Sequence, residues 1–254
     1  MRETTSKEEH QTSDMFGLTM PTIVSCPRCR YLFFKRLFDL GIILLAIIPL
    51  TPMLIFIAIL IMLDSAGPPI FKQERVGSKH KNGCGSLCWK QRRFTMYKFR
   101  TMQTGADPNI HYEFIKAYIA GDHERLSEIQ AARKVKTKYK LVNDPRITRM
   151  GHFLRRTSLD ELPQVWNVLR GDMSLVGPRP PIPYEVDLYQ HWHHQRLMTV
   201  PGITGLWQVE GRSSTTFEEM VALDIKYIQQ QSLWFDLKIL FETLPRVLSR
   251  RGAR

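Results

Sequence analysis

From Leu40 to Leu63 the chain carries no charged side chain, and the heart of the run reads GIILLAIIPLTPMLIFIAIL. At about 1.5 Å per residue a helix over this stretch crosses roughly 30 Å of hydrocarbon, so the run is a membrane segment. It exceeds the apolar core of about 7–15 residues in a secretory signal and starts too far into the chain to be one. Its flanks constrain the topology. Arg28, Arg30, Lys35 and Arg36 precede it, and Lys72, Arg75, Lys79 and Lys81 follow it. Basic flanks favour the cytoplasmic side, and a single span cannot place both ends there. Pro49 and Pro52 lie at mid-segment, where each removes an amide donor and disfavours helix in the residue before it; the Thr51 hydroxyl can bond a freed carbonyl. A helix that enters, breaks at Thr51-Pro52 and returns to the same face satisfies charge and proline together. A kinked spanning helix is the competing arrangement.

This run divides the chain into a polar tail (1–34), a membrane helix-break-helix (35–66) and a cytoplasmic domain (67–254). The tail is without hydrophobic period as far as Ser25. The 254 residues suffice to bury a real core. With 36 Lys and Arg against 24 Asp and Glu, the formal charge is +12. That balance suits nucleic acid, an anionic membrane surface or a phosphorylated substrate, and disfavours a polycationic partner. Cys26 and Cys29 form C-x-x-C, and Cys84 and Cys88 form C-x-x-x-C. Neither matches a standard zinc-finger spacing, which places reduced thiols of a cytosolic domain ahead of zinc.

The stretch richest in chemistry is RRTSLDELPQVWNVLRGDMSLVGPRPP, Arg155 to Pro181. Ser158-x-x-Glu161 has the spacing of a capping box and predicts a helix starting near Ser158, with Asp160 and Glu161 in its first turn. Backbone amides and the macrodipole there favour ionised acids. Acids in a first turn are also ordinary helix-start chemistry. Here they lie between Arg155-Arg156 and the turn Gly177-Pro178-Arg179-Pro180-Pro181, whose prolines pre-order an arginine for bidentate phosphate contact. Carboxylates ringed by arginines point to phosphoryl chemistry on an anionic substrate.

Elsewhere the patterns are less specific. Ser78 to Arg93 is polar and basic and predicts a loop. Phe94 to Arg100 alternates as a short strand with Lys98 and Arg100 on one face, suited to a diphosphate or simply to solvent. Asn109 to Val135 predicts one or two surface helices, Arg133 to Lys140 a basic connector, and Asn143 to Arg146 a turn. Tyr184 to Leu197 reads as a helix whose His191, His193 and His194 lack an acidic zinc partner, so they are expected to be exposed polar residues. Pro201 to Arg212 is a glycine-punctuated loop in which Trp207 either stacks on a ligand or packs in the core. Phe217 to Gln229 and Leu233 to Leu248 predict amphipathic helices. The second can lie on the bilayer or pack inward.

The motifs KRLFD, GPPIFKQERVG, FTMYKFRTM, NDPRITRMGHFLRRTSLDELPQVWNVLRGDMSLVGPRPP and PGITGLWQVEGR stand in this order. The chain over about Lys35 to Gly252 thereby resembles the bacterial sugar transferases, the monotopic polyprenyl-phosphate phosphoglycosyl transferases that begin surface-glycan assembly. A Thr-Pro stands where that family usually has Ser-Pro. The resemblance implies a re-entrant anchor in the bacterial cytoplasmic membrane, a catalytic domain on the cytoplasmic face, and transfer of a sugar 1-phosphate from a UDP-sugar to polyprenyl (undecaprenyl) phosphate with release of UMP. It casts Asp160 as the nucleophile and Glu161 as its dyad partner, with Mg²⁺ as cofactor held by the same two acids. Lys98, Arg100, Arg155 and Arg179 become phosphate-binding residues. The GLWQV segment leans toward a hexose such as glucose or galactose. The chain resembles the catalytic module alone, and the cysteine-bearing insertion around Cys84 and Cys88 is longer than that pattern. The expected fold is mainly α with a few short strands (α+β), carrying membrane-surface amphipathic helices, with a homodimer as a possible assembly. A membrane-tethered basic module for nucleic acid or anionic lipid is the alternative, which leaves the embedded acidic pair unexplained.

Overall fold

A computed structural model describes residues 29–80, 89–105, 109–131, 146–211 and 215–248. The apolar run forms one long helix, α1 (Cys29–Asp64), with Pro49 and Pro52 inside it. Where the sequence predicts a break at Thr51-Pro52, helix continues through both residues. The prolines withhold amides from the carbonyls four residues earlier, Leu45 and Ile48. The Thr51 hydroxyl donates instead to Ile47 O, at 2.7 Å, so the expected rescue falls on a neighbouring carbonyl. Most of the apolar side chains of α1 are not buried, unlike those of the core helix of a soluble protein.

The buried positions of α1 lie toward its two ends, and one domain holds both. Near the start, Lys35 donates to Asp236 at 2.7 Å, Asp39 accepts from the Ser174 hydroxyl at 2.7 Å, and Ile43 packs with Phe94, Met96, Val168 and Met173. Near the end, Ile57 and Ile61 pack with Phe99 and Leu154, and Asp64 accepts from the Met150 amide at 3.1 Å. Burying side chains of this kind stabilises by about 1.5–3 kcal/mol each. Between these anchorages Leu44, Leu45, Ile48, Ile55 and Phe56 are exposed.

After α1, β1 (Ile70–His80) and β2 (Trp89–Phe99) pair antiparallel from Ile70↔Phe99 to His80↔Trp89. The predicted loop over Ser78–Arg93 is therefore corrected: strand runs to His80 and resumes at Trp89, and residues 81–88 lie outside the description. Charged side chains on a two-stranded arm concealed its period, since a partner strand supplies the pairing whatever the outward residues are. Two helices follow as predicted, α2 (Asn109–Ala120) and α3 (His123–Ala131), joined through the buried Phe114, Ala117 and Leu126. The basic connector and the cysteine pairs fall outside the described residues or at their very edge.

Beyond the segment that carries Asp160 and Glu161, β3 (Ser174–Val176) pairs parallel with β4 (Gly202–Thr204). Short helices α6 (Pro183–Val186) and α7 (Leu206–Glu210) flank them. Of the predicted Tyr184–Leu197 helix, only α6 and a separate 3-10 turn at His191–Leu197 form. Helix α8 (Phe217–Gln230) begins with a capping box: the Thr216 hydroxyl accepts from the Glu219 amide while the Glu219 carboxylate accepts from the Thr216 amide. Helix α9 (Leu233–Leu248) turns Asp236 and Ile239 inward and leaves Trp234, Phe241 and Leu244 exposed. It thus has a packed face and an exposed apolar one. The fold is α+β, mostly helical.

Candidate active site

The acidic pair is set by what lies before it. Thr148 caps α4 (Arg149–Thr157), its hydroxyl accepting from the Gly151 amide at 3.0 Å. A Cβ on Gly151 would stand 2.1 Å from Thr101 O, so only glycine lets this helix approach the end of β2 so closely. Helix α4 ends at Ser158, whose φ of 58° is the one positive value among the described non-glycine residues. A non-glycine residue in this region costs of order 1 kcal/mol or more and persists where its surroundings fix it. A 3-10 turn (Leu159–Gln164) carries the acids, and α5 (Val165–Arg170) follows.

The capping-box expectation is thereby corrected. Ser158 closes α4 and also caps the 3-10 helix that follows, whose first turn carries both acids as expected, but its side chain makes no cap hydrogen bond and that helix is not α. Pro163 supplies the reason: an α-helix capped at Ser158 would place it beyond the first turn, where its missing amide and its ring are disruptive. On either side of the acids, Leu159 and Leu162 pack against the cluster built on Ile57 and Ile61 of α1. Helix α1 is thus the floor beneath the acidic turn.

Side-chain cations, rather than a helix dipole, hold one of the acids. Lys98 donates to Glu161 Oε1 at 2.7 Å, and Arg179 donates to the same oxygen at 3.2 Å. Burial would raise Glu161, but these two charges and their hydrogen bonds outweigh it and hold the carboxyl at about 2. Asp160 differs. Among the described residues none donates a hydrogen bond to its carboxylate, and burial followed by repulsion from Glu161 raises it to about 6 against the pull of Lys98, Arg155 and Arg179. The pair therefore joins a clamped, permanently ionised acid to an unclamped one that is ionised at neutral pH and more basic than usual.

Of the predicted phosphate-binding residues, Lys98 and Arg179 meet the acids directly. Arg155 lies close enough to act on Asp160, with its Nε donating to the Thr101 hydroxyl at 2.9 Å. Arg100 does not join them. Its buried guanidinium donates to Ala66 O at 2.8 Å and Ser65 Oγ at 2.9 Å, closing the end of α1. A strand alternation cannot reveal this, because Arg100 stands one residue past β2.

One member of the site escaped the sequence reading. Arg75 is buried in β1 and donates to Pro180 O at 2.9 Å, beside the Val76 amide that donates to Pro181 O at 2.9 Å. These bonds fix the proline turn that presents Arg179. The signal available was only its position in GPPIFKQERVG, where it counted as a flanking charge. Burial lowers Arg75 to about 10, so it remains a cation at neutral pH.

The sequence profile of the bacterial sugar transferases matches residues 30–250. The chain belongs to the bacterial sugar transferase family. Among sugar transferases it is 42% identical over 221 residues to the UDP-galactose-lipid carrier transferase of Erwinia amylovora, covering 87% of this chain and 42% of that protein. It is 41% identical to the undecaprenyl-phosphate galactose phosphotransferase of Salmonella typhimurium, with the same coverage of each. It is 38% identical over 219 residues to the exopolysaccharide production protein ExoY of Sinorhizobium fredii, covering 86% of this chain and 87% of that protein. The chain thus spans less than half the length of the first two relatives.

Within this sugar transferase fold no group of three or more His, Cys, Asp or Glu that could hold a metal occurs among the described residues. Mg²⁺ is commonly held by one or two carboxylates with substrate phosphates and water completing its shell, so the donor set of Asp160 and Glu161, the second already bonded to Lys98 and Arg179 through Oε1, is of the chemical type such an ion takes. The histidine expectation needs correction. His193 is buried, its Nδ1 accepting from the Gln190 amide at 3.0 Å, and it packs against Trp192, Tyr189 and Phe217. Trp207 donates to the Thr215 hydroxyl at 3.0 Å and packs on the Phe217 cluster, in keeping with the core reading.

Proposed function

We propose that the protein transfers a sugar 1-phosphate from a UDP-sugar, glucose or galactose favoured, to polyprenyl (undecaprenyl) phosphate and releases UMP, as the first step of a surface glycan. The observation that carries this reading is the asymmetry of the acidic pair: Glu161 is clamped by Lys98 and Arg179, while Asp160 beside it has no hydrogen-bond donor among the described residues and a raised proton affinity. An oxygen of the Asp160 carboxylate attacks the sugar-bearing phosphorus. That P–O bond forms as the bond to the UMP oxygen breaks, and UMP leaves with the electron pair. A phosphate oxygen of the polyprenyl acceptor then attacks the same phosphorus, forming the diphosphate and returning the carboxylate. Arg155, Arg179 and Lys98 compensate the diphosphate charge, and Arg75 keeps Arg179 in position. Mg²⁺, held by Asp160 and Glu161 with the donor's phosphates, would supply further charge neutralisation. The names of the relatives above, galactose-lipid carrier and undecaprenyl-phosphate transferases among them, support the substrate classes.

The test is UMP release by the purified protein from a UDP-sugar, with and without polyprenyl phosphate and Mg²⁺. Sustained release beyond one UMP per protein that needs the lipid is the expected result, and continuing hydrolysis indifferent to it contradicts the reading. The pH profile carries a second expectation. Because the reactive form is the carboxylate, and Asp160 is raised to about 6, the rate should fall about tenfold per unit as pH drops below 6. A rate independent of pH between 7 and about 4.5 would assign the nucleophile elsewhere.

The membrane arrangement proposed with this function is a re-entrant α1, with both ends on the cytoplasmic face of the bacterial membrane. Its support is that Lys35, Asp39 and Ile43 at one end and Ile57, Ile61 and Asp64 at the other contact one domain, while the apolar middle is exposed. A spanning helix would have to break one set of contacts. In a protein whose native cysteines are replaced by serine, Arg30→Cys and Glu74→Cys should both react with an impermeant thiol reagent only when the cytoplasmic face is open. Labelling from opposite faces would establish a span.

A further inference from the structure

Next to the proline turn that presents Arg179 stands a neutral pair that the reaction above does not use. His111, in the first turn of α2, and Tyr184, on α6, share a hydrogen bond between Nδ1 and the phenol oxygen at 2.5 Å. Tyr112 packs edge-on to the Tyr184 ring at 5.3 Å between centroids, so the pair is held from α2 and α6 together. Burial, then the charges of Arg75, Arg179, Arg146 and Arg155, holds the imidazole at about 4, well below its usual range, and it is neutral at pH 7. Tyr184 follows within three residues of the proline turn that presents Arg179 and that Arg75 and Val76 fasten to β1, so the pair adjoins the cations around the acids.

The chemistry of the two halves is complementary. Guanidinium and ammonium groups only donate hydrogen bonds, which suits phosphate oxygens. An imidazole–phenol pair both donates and accepts, which suits a hydroxyl. In a UDP-sugar the groups on each side of the diphosphate carry hydroxyls, the ribose on one and the hexose on the other. We infer that the His111–Tyr184 pair binds a donor hydroxyl adjoining the diphosphate and contributes to the choice of donor. This rests on the transfer reading above, and it names a specificity determinant on elements separate from the acidic turn. A site that hydrogen-bonds a substrate hydroxyl discriminates against donors that lack or invert it, because its own polar atoms are then left unpaired.

The experiment compares Tyr184→Phe, which keeps the ring and its packing on Tyr112, and His111→Asn with the wild-type chain. KM and kcat of UMP release are measured with UDP-glucose and UDP-galactose, together with inhibition by UMP and the melting temperature. The expected result is a KM for the donor raised about 3–10-fold, the size of one lost neutral hydrogen bond, with a smaller change in kcat, whatever small fall in melting temperature the lost internal bond brings. If the contact is to the ribose, UMP inhibition weakens in parallel and the preference between the two donors holds. If it is to the hexose, UMP inhibition holds and the preference shifts. Wild-type KM and donor preference in both variants overturn the inference, as does a lowered melting temperature with KM unchanged, which makes the pair scaffolding. Absence of UMP release from the wild-type protein defeats the transfer reading itself.

Discussion

Replacing Asp160 with asparagine should abolish UMP release, by roughly 10⁴-fold or more, the scale of loss when a residue that does the chemistry is removed. The same variant should be no less stable. Asp160 receives no hydrogen bond from the described residues, and its folded-state carboxyl is raised from the model-compound 3.8 to about 6. The folded state therefore binds the proton more tightly than the unfolded one. What stability this carboxyl contributes is present below about pH 4 and is lost as pH rises through 6, so at pH 7 its charge opposes folding. A neutral isostere removes that opposition, and the melting temperature at pH 7 should equal or exceed that of the wild type. Activity lost together with a lowered melting temperature would point to a structural role, and activity retained would remove Asp160 from the chemistry. The raised proton affinity is the counterpart of reactivity: burial next to Glu161 costs stability and leaves a more basic carboxylate.

The second large effect is on stability, at the start of α1. Lys35→Met should destabilise the detergent-solubilised protein by about 3 kcal/mol, because it leaves the Asp236 carboxylate buried without its cation. Both side chains are almost fully enclosed, at 5 % and 1 % exposure, and Asp236 also accepts from Tyr31 at 2.8 Å and Tyr227 at 2.7 Å. Those two phenols place the expected loss toward the lower end of what breaking a buried pair costs. Replacing both partners, Lys35→Met with Asp236→Leu, should recover much of it, since the main penalty is a stranded charge. Chemical unfolding followed by tryptophan fluorescence measures both. A single variant as stable as the wild type would mean that this end of α1 is not latched to α9, and with it would go half the support for a re-entrant anchor.

What was legible in the sequence follows from what each signal is made of. The apolar run, the two surface helices over Asn109–Ala131 and the amphipathic α8 were readable, because their information lies in composition and local period. The helix start after Ser158 with both acids in its first turn was legible, but not that Ser158 also closes the preceding helix, nor whether the new helix is α or 3-10, since a capping-box spacing looks the same in either. Only the distance from Ser158 to Pro163 could have separated the two. The arm from Ile70 to Phe99 was cut short because its pairing comes from a partner strand and not from its own side chains. Lys98 and Arg179 were drawn from motifs and do surround Glu161, yet Arg100, two residues from Lys98, serves the end of α1. Neighbouring cations with equal chemistry are sorted only by the three-dimensional path of the chain. Arg75 illustrates the converse: it looked like a flanking charge and is buried beneath the turn that presents Arg179.

The central claim is that the Asp160 carboxylate itself becomes bonded to the sugar phosphate, and weighing the intact protein tests it most directly. Incubated with a UDP-sugar and no lipid acceptor, then quenched in acid, the wild-type chain should gain the mass of one hexose phosphate. Peptide mapping should place the adduct at Asp160, and adding polyprenyl phosphate should discharge it. An unmodified mass at every time point, from a preparation that turns over UDP-sugar when lipid is present, would contradict covalent transfer through this residue.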